Sequence, residues 1–476
     1  MLLKRKPTFF EAISCLVVMA LLVGGGYGVL KLRIEMMLIA SAVYTGFIAM
    51  RLGMTWKDME GAIAEKTAKI MPAIFIIFTV GIVIGTFIYA GTIPMMIFYG
   101  LKIISPKYLI VSGFIICAIL STVTGTSWGS AGTAGVAIMG IAYGLGVPLH
   151  ITAAAVVSGS IFGDKLSPLS DTTNLAALSA GVDLYDHIKH MLYTTIPASL
   201  VAMVAYLIVG LQFSGDLVMP EKVTILVNTL DTIFNWNVFL LIPFLIILGG
   251  SITKKPTIPT MLFASFVAIL IGMFSHGFAF KDAMTAAVSG FNVNMVKIDG
   301  FDPNNVIWEV TRLIHRGGIK SMFGVVTIVY CAYGFAAIAE KAGFLEVILN
   351  SFIDRVNSAG QAVATSVVSS VLLVYIAGTC YISIIMIGEL FKDPYIKNGL
   401  HLKNLSRTLE DAGTMIVGLV PWGSSGVYYL GILGIGPLEY GAWAIPLYLC
   451  PILAIIYGYT GFGMAKLNQK NSTKTA

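Results

Sequence analysis

Carboxylates are scarce in this chain, and four of them sit where hydrocarbon is expected. Asp164 and Asp171 fall within GDKLSPLSDTTNLAAL (Gly163–Leu178), and Glu410 and Asp411 within LEDAGTMIVGLVPWGSSG (Leu409–Gly426). Two further polar interruptions carry no acid: TVTGTSWGSAGTAG (Thr122–Gly135) and IAGTCYIS (Ile376–Ser383). All four break apolar sequence with glycine, proline or hydroxyl side chains. Irregular backbone at membrane depth must be buried in protein or line a cavity, because unsatisfied peptide groups are costly in hydrocarbon. Carboxylates at that depth mark ion or proton pathways by default. Helix ends there expose free carbonyl or N–H groups, which suit cations and anions respectively. The chemistry is reversible binding of a cation: carboxylates balance its charge, and hydroxyl oxygens replace its lost water.

The elements that position these residues are membrane helices. Of 476 residues, 57% are hydrophobic and 11% charged, against about 25% charged in a soluble domain. Apolar runs such as Ile70–Ala90 and Met322–Ala339 recur along the chain. Since a spanning helix needs about 20 apolar residues, the expected fold is an all-α polytopic membrane protein with about 10–12 membrane segments. The first run, Phe9–Leu30, follows Lys4-Arg5-Lys6. It exceeds the core of about 7–15 residues typical of a signal peptide and ends in no small-x-small cleavage site, so it is expected to stay as a spanning helix. Five separated cysteines with no CxxC argue against a disulfide framework and against a zinc site. The net charge of +6 is spread over span flanks, which points to lipid headgroups and away from nucleic acid. No cofactor is expected.

The chain also contains itself twice. Met37-Leu38-Ile39-Ala40-Ser41 returns as Met261-Leu262-Phe263-Ala264-Ser265, and at the same offset of 224 residues Gly53 and Lys57-Asp58 meet Gly277 and Lys281-Asp282. Further on the offset is 253: STVTGTSW (Ser121–Trp128) lies against VYIAGTCY (Val374–Tyr381). The growth implies an insertion of 29 residues, assigned to about 291–318. The organisation expected is repeat 1 at 8–212, a linker at 213–231, repeat 2 at 232–462 and a tail at 463–476. Lys4, Arg5 and Lys6 in one tail and Lys466, Lys470 and Lys474 in the other oppose Asp216, Glu221 and Asp231 in the linker. The positive-inside rule then puts both termini in the cytoplasm of a multi-pass cell-membrane protein and makes the repeats inverted. Inverted repeats with broken helices or re-entrant segments, binding near the midplane, are a secondary-transporter architecture.

Other readings of the same residues are blander. Gly81-x-x-x-Gly85 and Gly159-x-x-x-Gly163 read as helix-packing motifs. Gly125-Thr-Ser-Trp-Gly129 matches G-x-S-x-G, but a hydrolase elbow needs an α/β sheet that this sequence does not offer, so no enzymatic activity is expected. Asp183 with His187, and Asp186 with His190, have the spacing of a metal face or a pH sensor; an interfacial turn before the next span is the plainer account. A channel would want rings of ligands in a symmetric pore.

GDKLSPLSDTTNLA (Gly163–Ala176), HIKHMLYTTIPA (His187–Ala198) and LSRTLEDAGTMIVGLVPWGSSGVY (Leu405–Tyr428) together closely resemble the NhaC family of Na+/H+ antiporters, and the resemblance runs over nearly the whole chain. It implies coupling of Na+ to H+. The family also holds antiporters that exchange malate with protons for lactate with Na+, so a small carboxylate is the alternative cargo. The resemblance makes Asp164, Ser167, Asp171, Thr172, Thr173 and Asn174, then Glu410, Asp411 and Thr414, cation and proton ligands. Thr126, Ser127 and Thr379 are expected to add hydroxyl or carbonyl oxygens. The expected Na+ site is Asp171 with Asp164 or Asp411, Asp171 being the principal carrier. Lys165, Arg407, Trp422, Ser424 and Ser425 are the candidate contacts for an organic anion, with Gly423 after the tryptophan leaving room for it. Na+, H+ and the bilayer are the expected partners, with a homo-oligomer as a further expectation.

Overall fold

The computed structural model describes residues 4–213, 220–298, 301–353 and 356–467. Asp216, Lys470 and Lys474, which entered the charge argument, lie outside the described residues, as do the side chains of Glu221 and Lys222. Among the described residues the chain is helical apart from loops and one isolated bridge, Leu400 with Lys466. Eight helices are long and apolar enough to cross a bilayer, or ten if each of two bent pairs counts as one span. The sequence expectation is thus met only at its lower end. Other stretches are divided into shorter helices around a break. Leu149–Leu166 stops at Ser167 and the chain resumes as Asp171–Ala180. Lys403–Leu409 continues through a π-helical turn, Glu410–Thr414, stops at Val417 and resumes as Ser424–Leu433.

Local chemistry sets these bounds. Thr8 with Glu11 and Thr55 with Asp58 form capping boxes that start Phe9–Leu21 and Trp56–Tyr89. At 34 residues the second helix is about 51 Å long, well beyond a hydrocarbon core of about 30 Å. Its first turns, with Glu65, Lys66 and Lys69, therefore project past the core. Pro106–Thr124 and Ala359–Ala377 both end on glycines in the left-handed region, Gly125 (φ 68°) and Gly378 (φ 69°), where a Cβ would be penalised.

Those two helices are 253 residues apart at both ends, and the correspondence continues without a gap. Asp171–Ala180 matches Ser424–Leu433, Pro168 matches Pro421, and the left-handed glycines Gly146 and Gly181 match Gly399 and Gly434. The segment given as an insertion enters the bundle through Gly317 and Gly318. The Gly318 N–H donates to the Gly81 carbonyl at 2.6 Å, and a Cβ on Gly85 would lie 2.2 Å from the Ala286 carbonyl oxygen. Gly81-x-x-x-Gly85 thus admits backbone from two other segments.

Gly159-x-x-x-Gly163 packs Leu149–Leu166 against Pro106–Thr124, with the Phe114 and Ala118 carbonyl oxygens each 2.2 Å from where a Cβ would stand. A methyl group there must push two backbones apart. Gly163→Ala is therefore expected to cost about 1–3 kcal/mol, read as a lowered unfolding temperature in detergent, and to displace the adjacent Asp164.

Candidate cation site

A cavity of about 1050 Å³ runs inward from one end of the bundle. Its mouth carries Lys66, Lys69, Lys254, Lys255 and Lys341 against Glu65 and Glu340. Lys66 pairs with Glu340 and lies 5.7 Å from the centre of the Tyr333 ring. The inner end is built by the four polar breaks of the sequence, each contributing residues to one wall.

Asp164 is one of the buried residues of the lining. It occupies the last turn of Leu149–Leu166 and is 7% exposed. One carboxylate oxygen accepts the Ser127 backbone N–H at 3.1 Å; the other, Oδ1, is buried and has no hydrogen-bond partner. Ser127 opens the helical turn after Gly125, so the carboxylate sits on a helix start whose N–H groups lack intrahelical partners. Thr126 caps the same start through the Gly129 N–H. Asp171, at the start of Asp171–Ala180, is exposed to the cavity. Its Oδ1 accepts the Thr172 N–H at 2.9 Å and its Oδ2 the Tyr381 hydroxyl at 2.5 Å. Trp128 joins the two halves: its ring stacks on Tyr428 at 4.4 Å, its indole N–H donates to the Ser425 hydroxyl at 3.2 Å, and its carbonyl accepts the Tyr428 hydroxyl at 2.7 Å.

Asp164, Asp171, Thr172, Thr126, Ser127, Thr379, Thr414, Ser424 and Ser425, all singled out from sequence, line this one cavity. Others from the same motifs hold the break in shape. The Ser167 hydroxyl accepts the Leu169 N–H, the Thr173 hydroxyl donates to the Lys165 carbonyl at 3.0 Å, and the Asn174 amide donates to the Pro168 and Ser170 carbonyls. The Trp422 indole N–H is spent on the Tyr375 carbonyl at 2.8 Å. Cys380, Tyr381 and Trp128 reach the cavity without having been named as ligands. Each stands in a quoted break, so position was the available signal and side-chain type was not.

Lys165, Arg407 and Asp411 are placed differently from the sequence expectation. All three are fully buried behind the cavity wall. Lys165 pairs with Asp411, whose same oxygen accepts the Thr194 hydroxyl at 2.9 Å. Arg407 stands 3.9 Å from the other Asp411 oxygen and donates to the Gly463 carbonyl. Lys165 and Arg407 are thus engaged within the protein and do not face the cavity where an organic anion would enter. Asp411 has a fixed ammonium where the sequence reading put Na+. Glu410 is buried beside this group, and neither of its carboxylate oxygens has a hydrogen-bond partner among the described residues. The His187–His190 pair turns inward as well. Their rings meet the Ser406 hydroxyl at 2.8 Å and the Asn404 side chain at 2.9 Å, while Asp183 caps its own helix.

A family model described as the Na+/H+ antiporter family matches residues 159–462, which takes in both helix breaks and the buried ion pair. The chain belongs to this family. It is 46% identical to an uncharacterized Na+/H+ antiporter of Haemophilus influenzae over 98% of each chain. It is 35% identical to a malate-2H+/Na+-lactate antiporter of Bacillus subtilis over 96% of each. It is 34% identical to the Na+/H+ antiporter NhaC of Alkalihalophilus pseudofirmus, over 97% of this chain and 98% of that one.

Proposed function

We propose that this protein exchanges Na+ for H+ across the cell membrane, with Na+ held at the inner end of the cavity by Asp164 and Asp171. The observation that carries the reading is the Asp164 carboxylate, buried on a helix start in the cavity lining with one oxygen unused. A buried anion without a partner is costly. It is relieved either by a proton or by a dehydrated cation, and one group that accepts either in turn is the minimum device for exchange. Asp171, nearer the mouth and steadied by Tyr381, is the second carboxylate of the pair. Hydroxyls of Thr126, Ser127 and Thr414 stand within the same wall.

The two corresponding halves, about 8–212 and 232–462, act in this reading as inverted repeats. The first described residues lie beside Leu52, and Phe9 touches Phe352. Gly360, just beyond, packs on Tyr459 near the other terminus. Tyr206, by contrast, meets Trp443 towards the opposite end of Ile445–Thr460. Each half then starts at one face and ends at the other. The cavity opens at the face that holds both termini, which the positive-inside rule makes cytoplasmic. Alternating access requires the same carboxylates to be reached from the opposite face in the other state.

The test uses purified full-length protein in liposomes carrying an internal pH dye. A Na+ gradient alone is expected to drive proton movement in the opposing direction, and an equal K+ gradient is not. Absence of Na+-driven proton movement overturns the reading.

A further inference from the structure

The helix Trp56–Tyr89 has a counterpart in the second half that is cut in two. Its first ten residues correspond to Phe280–Ser289 at the offset of 224. From Lys66 onward it corresponds to Ile319–Lys341 at the offset of 253, to within a residue. The insertion is therefore spliced into one helix, at the place that Lys66 holds in the other half. Lys66 stands at the mouth of the cavity. In a pair of inverted repeats, the same place marks the mouth of the route from the opposite face.

Matched positions show one mouth open and the other shut. Tyr333 and Ala337 line the cavity, and a Cβ on Gly334 would meet nothing within 4 Å. Their counterparts are Val80, Ile84 and Gly81. Here the Gly318 carbonyl oxygen lies 2.7 Å from where a Gly81 Cβ would stand, and Gly317 packs on the backbone of Ile84 and Gly85. Lys69 and Pro72 also line the cavity, and Leu178 is exposed. Their counterparts Met322, Val325 and Gly431 are packed together: a Cβ on Gly431 would lie 3.2 Å from the Met322 sulfur and 2.8 Å from a Val325 methyl group. Two ties hold the insertion over this closed end. The Arg316 guanidinium donates to the Leu433 carbonyl at 3.4 Å, at the C-terminal end of Ser424–Leu433, where positive charge is favoured. Arg312 lies over the rings of Trp308 and of Tyr143, the latter near the end of Val136–Leu145. The insertion leaves and rejoins the bundle at one point, since the Phe291 N–H donates to the Arg316 carbonyl. Gly290, Gly317 and Gly318 at that point have φ of 87°, 83° and 80°, so the segment hangs on a single glycine hinge.

We infer that the insertion is the plug of a second mouth, on the face opposite the cavity. Arg316, Gly317 and Gly318 close that mouth, and the contact of Met322 and Val325 with Gly431 is the gate that parts when Asp164 and Asp171 are reached from there. Opening releases Arg316 from the Leu433 carbonyl and swings the insertion away from Gly81 and Gly85. The first half carries no such plug at Lys66, so the two mouths close by different means. The inference rests on the reading of the halves as inverted repeats and names the device that controls access to the same site.

The experiment has two parts, both on the full-length protein. A Cβ on Gly431 would lie 3.8 Å from the Val325 Cβ, the usual spacing across a disulfide. Val325→Cys combined with Gly431→Cys is oxidised in liposomes, with bond formation read by thiol titration and the unsubstituted protein treated in parallel. Oxidation should abolish Na+-driven proton movement in the double variant alone, and reduction should restore it. In the second part, Ile84→Cys is labelled with a membrane-impermeant maleimide in right-side-out vesicles under a Na+ gradient, against the unsubstituted background. Adding Arg316→Ala should speed the labelling about tenfold, in keeping with one lost hydrogen bond from a charged group. Unchanged proton movement after cross-linking overturns the gate. Labelling that Arg316→Ala leaves unchanged makes the insertion a fixed cover and overturns the plug. If neither the reduced double variant nor the unsubstituted protein moves protons in response to Na+, the cation reading fails, and the labelling still decides the plug.

Discussion

Asp164→Asn is expected to lower Na+-driven proton movement by roughly 100-fold or more if Asp164 holds the ion, because a neutral amide supplies no charge to a dehydrated cation in a low-dielectric site. The substitution is nearly isosteric. Its oxygen can still accept the Ser127 N–H at the helix start, so the fold around the break is expected to survive. Asp171→Asn acts differently. This side chain is exposed to the cavity and accepts the Thr172 N–H and the Tyr381 hydroxyl on different oxygens, so the amide can keep only one of them as acceptor. The expected effect is a rise in the Na+ concentration for half-maximal flux, with a smaller loss of maximal rate. Flux in liposomes over a range of Na+ concentrations separates the two. The opposite pattern, with Asp164→Asn active and Asp171→Asn dead, would make Asp164 a structural cap for the Ser127 turn and return the carrier role to Asp171. Unfolding temperatures of both variants show whether a loss of flux is a loss of fold.

The sequence made the breaks legible because a break must be polar where its surroundings are apolar. Each of the four stretches that stood out contributes to the cavity wall, and the 253-residue offset found from STVTGTSW and VYIAGTCY matches helix bounds to the residue. Which polar residue faces the cavity was not legible. Asp164 and Lys165 are neighbours, yet one lines the cavity and the other lies behind it against Asp411. Adjacent helix positions lie about 100° apart, and only the packing of Leu184–Gln212 and Lys403–Leu409 decides which is which. The same holds for Arg407, whose guanidinium is taken by the Gly463 carbonyl, a contact 56 residues away along the chain. The span count reaches ten only when each of the two bent pairs is taken as one crossing, because apolar length alone does not say whether two helices joined at a break cross together.

Asp411→Asn is expected to destabilise the protein by about 3–5 kcal/mol, since it strands the buried Lys165 ammonium without its counter-charge. Arg407 lies on the other side of Asp411, so the loss leaves two cations facing one another across a neutral amide. Lys165→Met should cost less. Asp411 would keep the Thr194 hydroxyl and the nearby Arg407, and the methionine stem fills most of the space of the lysine. Combining Lys165→Met with Asp411→Leu removes both charges and should recover much of the loss from Asp411→Asn, a departure from additivity that marks a coupled pair. Unfolding temperatures in detergent measure all three. Transport by the double variant then decides a separate question. With Na+ held by Asp164 and Asp171, the double variant should still show Na+-driven proton movement once it folds, because Asp411 lies behind the cavity wall. A folded double variant that moves no protons would place Asp411 back among the ion ligands, with Lys165 as the charge that Na+ displaces.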